Sequence, residues 1–206
     1  STRPIAMPVS AASDGTSGWT NDYNGLRTYA VWTTTSSLPV PRLVGTVANQ
    51  DLHAEEVPDM IIISPSQLLE QSRRIADIHT NSADSLRVLV VTDEQAYNEF
   101  GSGSPDVNAL RRMLKMFYDR GNAQASSRKL KYVLLMGGAH QDHRRLTSAM
   151  SGSSILTLPI WQTDLGLNES NSYCSDDILT FLEDNSGLRL SSDILSVAVG
   201  LSLIHI

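Results

Sequence analysis

The stretch Pro58-Asp-Met-Ile-Ile-Ile-Ser-Pro-Ser-Gln67 decides how this chain folds. Its centre, Met60-Ile-Ile-Ile63, is a short and wholly apolar run, as expected of a strand that is buried on both faces of a parallel sheet. In the polar residues that follow, Ser64 can cap a helix, Pro65 can take the first helical position, and Gln67 can complete a capping box. A buried strand followed directly by a helix predicts the start of a βαβ unit.

The same alternation of strand and helix repeats towards the C-terminus. Val88–Val91, Tyr132–Met136 and Ile194–Val199 predict three further strands. Apolar residues at helical spacing predict helices after Ser64, from Glu94 to Phe100, and from a cap at Ser104 to a stop at Gly121. Short apolar strands that alternate with amphipathic helices predict an α/β fold with parallel strands joined by right-handed crossovers.

The first part of the chain differs in character. Residues Ser1–Gly25 are rich in Ser, Thr, Gly and Asn, and Thr28-Tyr-Ala-Val-Trp-Thr-Thr34 predicts one short strand. Prolines interrupt the residues that follow, which disfavours a helix there. We therefore interpret residues 1–57 as the end of a preceding β-rich region and a linker, and residues 58–200 as part of the main domain.

Composition excludes several classes of protein. Among 206 residues, 16 Lys and Arg oppose 22 Asp and Glu, and the net charge of −6 argues against a nucleic-acid partner. No apolar run approaches the length that crosses a bilayer, and no signal segment opens the sequence. The single cysteine, Cys174, excludes an internal disulfide and a multi-thiolate zinc site.

The carboxyl ends of the predicted strands are the places to look for a ligand site. These ends are Ser64-Pro65, Thr92-Asp93-Glu94 and Gly137-Gly-Ala-His140. A phosphate loop needs a longer glycine pattern or a trailing Lys, which Gly137-Gly138 lacks, so this pair is better explained as a sharp turn.

His140 and His143, with Asp142 between them, have the residue types of a metal site. A metal also needs a third and a fourth donor, and no helical pattern follows to place the two imidazoles on one face. Two surface histidines in a loop are therefore the favoured interpretation.

Cys174 has the residue type of a nucleophile, but it precedes Asp176 and Asp177, whose carboxylates would raise the pKa of the thiol. A structural cysteine is therefore favoured. The acidic stretch that also contains Glu183 and Asp184 has oxygen ligands suited to a structural calcium ion, although a solvated acidic loop is the commoner explanation. The residues thus supply no catalytic, cofactor-binding or metal-ligating set.

Several ordered segments resemble the gingipain-type cysteine peptidase family. They are Val47-Ala-Asn-Gln-Asp-Leu-His53, Pro58-Asp-Met-Ile-Ile-Ile-Ser-Pro65, Tyr97-Asn-Glu-Phe-Gly-Ser-Gly-Ser-Pro-Asp106, Lys131-Tyr-Val-Leu-Leu-Met-Gly137 and Ser172-Tyr-Cys-Ser-Asp-Asp177. The resemblance extends from about residue 44 to residue 200, and within the family it is to the gingipain-like sortase of the type IX secretion system of Bacteroidetes-type bacteria.

This resemblance implies a caspase-like fold and peptide-bond cleavage by a Cys-His dyad. It also implies protein substrates with C-terminal sorting domains, other type IX secretion components as partners, and a place at the outer membrane or cell surface. The family's dyad lies downstream of the position reached at Val199-Gly200, so neither His140 nor Cys174 matches it. The family commonly has Gly-Asp where this chain has Gly137-Gly138, which leaves the role of that carboxylate without a counterpart.

The last six residues, Leu201-Ser-Leu-Ile-His-Ile206, depart from the family pattern. They are the translation of CTG TCT CTT ATA CAC ATC, a string that resembles a transposon-end adapter of sequencing libraries. We therefore expect a truncated fragment without peptidase activity of its own, and the alternative is a genuine apolar strand. Two other functions stay open on the residues alone, namely a self-contained flavodoxin-like or receiver-like binding domain and a non-catalytic surface module.

Overall fold

The computed structural model describes residues 5–20, 25–33, 35, 37–43, 45–123, 128–140, 142, 144–163, 173–187 and 192–202. The contacts divide the chain into two compact units, Ser1–Val47 and Ala48–Ile206. Leu52 and Val57 are buried in the second unit, although the sequence suggested a boundary after residue 57. That boundary stays a prediction.

Among its described residues, the smaller unit contains one short hairpin, formed by β1 (Ser10–Ala11) and β2 (Ser17–Gly18). The strand predicted from Thr28 is wrong for the described residues 28–33, where no strand is found, and Thr34 lies outside the described residues. Val31 and Trp32 are exposed there. A strand needs a hydrogen-bonded neighbour, which β-propensity alone does not supply.

The larger unit alternates strands and helices. In chain order these are β3 (Met60–Ser64), α1 (Leu69–Asn81), β4 (Val88–Thr92), α2 (Asp93–Phe100), α3 (Val107–Ala123), β5 (Tyr132–Met136), β6 (Gly138–Ala139), α4 (Ser148–Ser151), β7 (Thr157–Leu158), β8 (Trp161–Gln162), β9 (Cys174–Ser175) and β10 (Ala198–Ser202), with 3₁₀ turns at Ser66–Leu68 and Asp177–Thr180. Among the described residues, no helix has both the length and the apolar character that crossing a bilayer requires.

A four-stranded parallel sheet in the order β10-β5-β3-β4 forms the centre of this unit, which confirms the predicted α/β class. The chain moves from β3 outward to β4 and then returns to the other side of β3 to form β5. This reversal puts the topological switch point between β3 and β5. The edge position of β4 explains why only Val91 of that strand is fully buried.

Helices cover both faces of the sheet. Ile61 and Ile63 point into a large core with α2 and α3, which includes Leu110 and Phe117. Met60 and Ile62 point to the other face and a smaller core beside α1. Successive side chains of a strand alternate between faces, so a strand that is covered on both faces is apolar at every position.

The helices begin differently from the prediction. Ser64 belongs to β3, where its hydroxyl donates to Pro65 O at 2.9 Å and accepts from Ser72 Oγ at 2.8 Å, so no capping box forms there. The capping box of this unit lies at the start of α2, where Thr92 and Gln95 bond to each other's backbone N–H groups.

The helix after Gly101-Ser-Gly-Ser104 is also capped differently. The carboxylate of Asp106 accepts from the backbone N–H of Asn108 at 2.9 Å, and α3 begins at Val107. Gly121 does not end this helix, which continues to Ala123. Instead, a Cβ at Gly121 would lie 3.3 Å from both Lys129 Cα and Val57 Cγ1, so this glycine permits close packing.

The fourth strand of the sheet begins later than predicted. Ile194 is 84% exposed, and β10 starts at Ala198 beside Tyr132 of β5. Leu201 and Ser202 complete β10, while residues 203–206 lie outside the described residues. The adapter origin of residues 201–206 stays a prediction.

Candidate functional site

The carboxyl edge of the sheet is built around a glycine turn after β5. Gly137 has φ +113°, and a Cβ at this position would lie 2.8 Å from Leu156 O. The next residue, Gly138, donates its N–H to Leu156 O at 2.8 Å. The glycine pair therefore allows the returning segment to cross directly behind β5, which supports its interpretation as a turn.

The carboxyl group of Asp93 and the phenol of Tyr97 lie together where β4 ends and α2 begins. Asp93 is the first residue of α2, and its side chain hydrogen-bonds to Tyr97, which is 5% exposed. Burial raises the pKa of Asp93, and burial together with the Asp93 charge raises the pKa of Tyr97. Tyr97 therefore stays protonated and donates to Asp93. A protonated phenol therefore lies beside a carboxyl group at the carboxyl edge of the sheet.

The loop after β5 is organised by Asp142. Its carboxylate accepts from Leu146 N at 2.8 Å and from both Thr147 N and Thr147 Oγ1 at 2.7 Å. These bonds lower the pKa of Asp142 to about 2. The backbone N–H of Asp142 donates to His140 Nδ1 at 2.9 Å, while His143 lies outside the described residues. Asp142 thus holds the loop in shape instead of serving as a free metal ligand.

Cys174 lies half-buried in β9, where it pairs with Gln162 of β8. The acidic residues that follow do not gather around one point. Glu183 accepts from the hydroxyl of Tyr118, and Asp184 lies 2.8 Å from Lys115 Nζ, so both carboxylates are already bonded to side chains of α3. Within the described residues, the predicted calcium ligands Asp176, Asp177, Glu183 and Asp184 form no cluster of adjacent ligand atoms.

A different cluster joins Asp51, His53 and Glu99, whose ligand atoms lie within 4.8 Å of one another. Glu99 accepts from Leu52 N at 2.8 Å, from Gln50 Nε2 at 2.9 Å, and from His53 Nδ1 at 2.7 Å. Burial raises the pKa of Glu99, but these donors outweigh it and leave that pKa below its usual range.

The donors that already bond to Glu99 make this cluster a clamp that holds residues 50–53 against α2. His53 also stacks on Phe100, with ring centroids 4.6 Å apart. This clamp was not predicted from the sequence, because Leu52 and Glu99 are 47 positions apart.

An open groove of about 350 Å³ lies beside the loop that Asp142 organises. Four apolar residues line it, namely Val107, Leu146, Ile160 and Trp161, together with Gln162, Asp142 and Arg144. Trp161 belongs to β8, and Val107 is the first residue of α3. The groove thus joins three segments that the sequence separates widely, which is why sequence reasoning missed it.

The model of Peptidase family C25 matches residues 53–200, well over half of the chain. The chain therefore belongs to Peptidase family C25, the gingipain family, as its sequence motifs predicted.

The chain is also similar to a protein of known structure. The chain is similar to dimeric latent PorU from Porphyromonas gingivalis, with a TM-score of 0.64 and 36% sequence identity. The similarity covers 78% of this chain but 15% of that chain. The α/β fold is caspase-like, which confirms the expectation. A comparison with curated proteins gives no match.

Proposed function

We propose that the full-length protein is a gingipain-like cysteine endopeptidase and sortase of type IX secretion, whose catalytic dyad lies downstream of residue 200. The observation that carries this proposal is the match of residues 53–200 to Peptidase family C25, supported by the similarity to PorU. The chain then contributes four strands of the catalytic sheet.

The proposed reaction is an acyl transfer. A histidine takes the proton of the cysteine thiol, and the thiolate attacks the scissile carbonyl. Backbone N–H groups stabilise the oxyanion, the amine of the peptide bond leaves with a proton, and water or another acceptor releases the acyl group from sulfur. The first step requires a thiol and an imidazole in contact.

The cysteine and the histidines that the structure describes support a catalytic dyad downstream of this chain. Cys174 precedes two carboxylates, which disfavour the thiolate. Of the histidines, His53 bonds to Glu99 and His140 accepts from the backbone of Asp142, and neither stands in the Gly-His-Gly setting that the family resemblance implies for the dyad histidine. We therefore assign no catalytic residue to this chain and expect it to be inactive alone.

The proposal extends to substrates and location. The substrates would be proteins that carry C-terminal sorting domains, with other type IX secretion components as partners. The protein would act at the outer membrane or cell surface of a Bacteroidetes-type bacterium. It would need no cofactor for this chemistry.

The flavodoxin-like or receiver-like alternative shares this sheet order, with a switch point beside the first strand. It offers no explanation for the family match. A non-catalytic surface module remains the outcome to test against, because a relative can keep the sheet and lose the dyad.

Recovering the complete reading frame and assaying the full-length protein tests the proposal. We expect a Gly-His-Gly segment followed by a cysteine, cleavage of a fluorescent protein substrate, and loss of cleavage when that cysteine is replaced by Ala. A complete frame with no downstream Cys and His, or an inactive full-length protein, would favour the surface module.

A further inference from the structure

The groove beside β8 has the size and lining of a side-chain pocket. Its volume of about 350 Å³ is at the lower end of the range for ligand pockets, so one or two side chains fill it. Ile160 is almost fully buried, Trp161 is half-buried, and Leu146 is 72% exposed. An apolar side chain that enters the groove therefore covers surface that water otherwise contacts.

The two charged residues of the groove differ in the hydrogen-bonding capacity that remains for a ligand. The oxygens of Asp142 already accept three hydrogen bonds from Leu146 and Thr147. Arg144 is exposed, and no described residue pairs with its guanidinium. The N–H donors of Arg144 are thus available to a ligand, whereas the oxygens of the Asp142 carboxylate are already engaged by the loop.

The loop that carries Arg144 is fixed on both sides of this residue. Asp142 closes a turn onto Thr147, and Arg145 donates to the carbonyls of Ser153 and Ile155, the latter at 2.7 Å. Because these bonds anchor Asp142 and Arg145 on either side of Arg144, binding has fewer groups to order, which lowers the entropy cost.

We propose that this groove binds a peptide segment of a protein substrate, with an apolar side chain against Trp161 and Leu146 and a side-chain carboxylate on Arg144. This inference rests on the proposed peptidase function and names a substrate feature for it. A carboxylate is the partner that a guanidinium binds with paired hydrogen bonds, and an apolar neighbour fits the remaining wall.

Binding to the 206-residue chain tests this inference without requiring cleavage. The probes are fluorescein-labelled, C-terminally amidated peptides of sequence Ser-Gly-Leu-Glu-Ser-Gly, with Gln or Lys in place of Glu, measured by fluorescence anisotropy. We expect the Glu peptide to bind about fivefold more tightly than the Gln peptide and the Lys peptide to bind most weakly.

Charge reversal at the groove provides the decisive variant. Arg144→Glu should make the Lys peptide the tightest binder, whereas Arg73→Glu, at an exposed arginine of α1, should leave the order unchanged. Leu146→Ser should weaken the Glu and Gln peptides equally, because it removes apolar surface and no charge. Circular dichroism should show that all three variants remain folded.

The inference is overturned if Glu and Gln peptides bind alike, if Arg144→Glu leaves their order unchanged, or if binding does not saturate. It is also overturned if sedimentation shows that Arg144→Glu disrupts a dimer, since the groove would then hold a second copy of the chain. Cleavage by the full-length protein, with the same inference refuted, would leave the proposed function intact.

Discussion

At the scale of single residues, Gly137 is a position that only glycine fits. We expect Gly137→Ala to lower the free energy of unfolding by at least about 2 kcal/mol, because φ +113° is strained for alanine and its Cβ would overlap Leu156 O. Urea denaturation monitored by circular dichroism measures this loss. The matched control is Gly152→Ala, which meets no atom within 4 Å and should change stability by less than about 0.5 kcal/mol. Equal effects of the two substitutions would contradict the role of Gly137.

Asp59 is the buried carboxylate that anchors the start of β3. It accepts from Arg87 N at 3.0 Å, pairs with Arg128, and lies 3.5 Å from Lys131 Nζ. Burial raises the pKa of Asp59, but these partners outweigh it and hold the pKa below its ordinary value of 3.8. We expect Asp59→Asn to lower the free energy of unfolding at pH 7 by about 2 kcal/mol.

The effect of Asp59→Asn should depend on pH in one direction. Because the pKa is lowered on folding, the ionised carboxylate stabilises the protein above pH 3.8 and this contribution is lost as pH falls through the folded pKa. The stability difference between wild type and variant should therefore shrink below about pH 4. Asp84→Asn, an exposed control on the loop before β4, should show a small difference at every pH. A difference for Asp59→Asn that grows on acidification would contradict this account.

At the scale of elements, strands were more predictable than helix starts. The run Met60–Ile63 is apolar at every position, and such a run has few structural uses other than a strand covered on both faces. The cap at Ser64 was wrong, because β3 extends one residue further and takes Ser64 into the sheet. A local sequence pattern does not determine whether a residue at the junction of a strand and a helix belongs to the strand or to the helix.

The candidate site was less predictable than the fold. The family motifs in the sequence included Asp51-Leu-His53 and Tyr97–Asp106, but nothing local indicated that Glu99 would bond to Leu52 and His53. The groove likewise depends on Val107 and Trp161 meeting across the fold. Such contacts arise from tertiary packing, which a single sequence does not display.

The clamp between residues 50–53 and α2 should be detectable by hydrogen exchange. We expect Glu99→Ala to speed amide exchange at Leu52 and His53 at least tenfold, because both N–H groups lose their acceptor. The control is Glu70→Ala, at an exposed position of α1, which should leave these two rates unchanged. Slow exchange at Leu52 in the Glu99 variant would show that burial alone holds the segment in place.

At the scale of the whole molecule, the two units should differ in what they contribute to stability. All of the described core residues lie from Leu52 onward. Deleting residues 1–47 should therefore shift the thermal midpoint by less than about 3 °C, whereas deleting residues 1–57 should lower it by at least about 5 °C, because Leu52 and Val57 are lost from the core. Differential scanning calorimetry of both deletions measures the two shifts. Equal midpoints of the two deletion variants would place the boundary of the folded domain after residue 57, as the sequence predicted.

Under the proposed function, the nucleophile of the full-length protein is a cysteine downstream of this chain, and Cys174 is not required for cleavage. Cys174→Ser should leave cleavage within about tenfold of wild type, while replacing the downstream cysteine should abolish it, because an active-site thiol supplies the attacking atom and its loss removes the covalent route. The backbone pairing of Cys174 with Gln162 is one that serine at this position keeps. Alkylation gives an independent measurement. Iodoacetamide should modify Cys174 slowly at neutral pH, since carboxylates at 176 and 177 disfavour the reactive thiolate. Rapid modification of Cys174, with activity falling in step, would place the nucleophile inside this chain and overturn the downstream assignment.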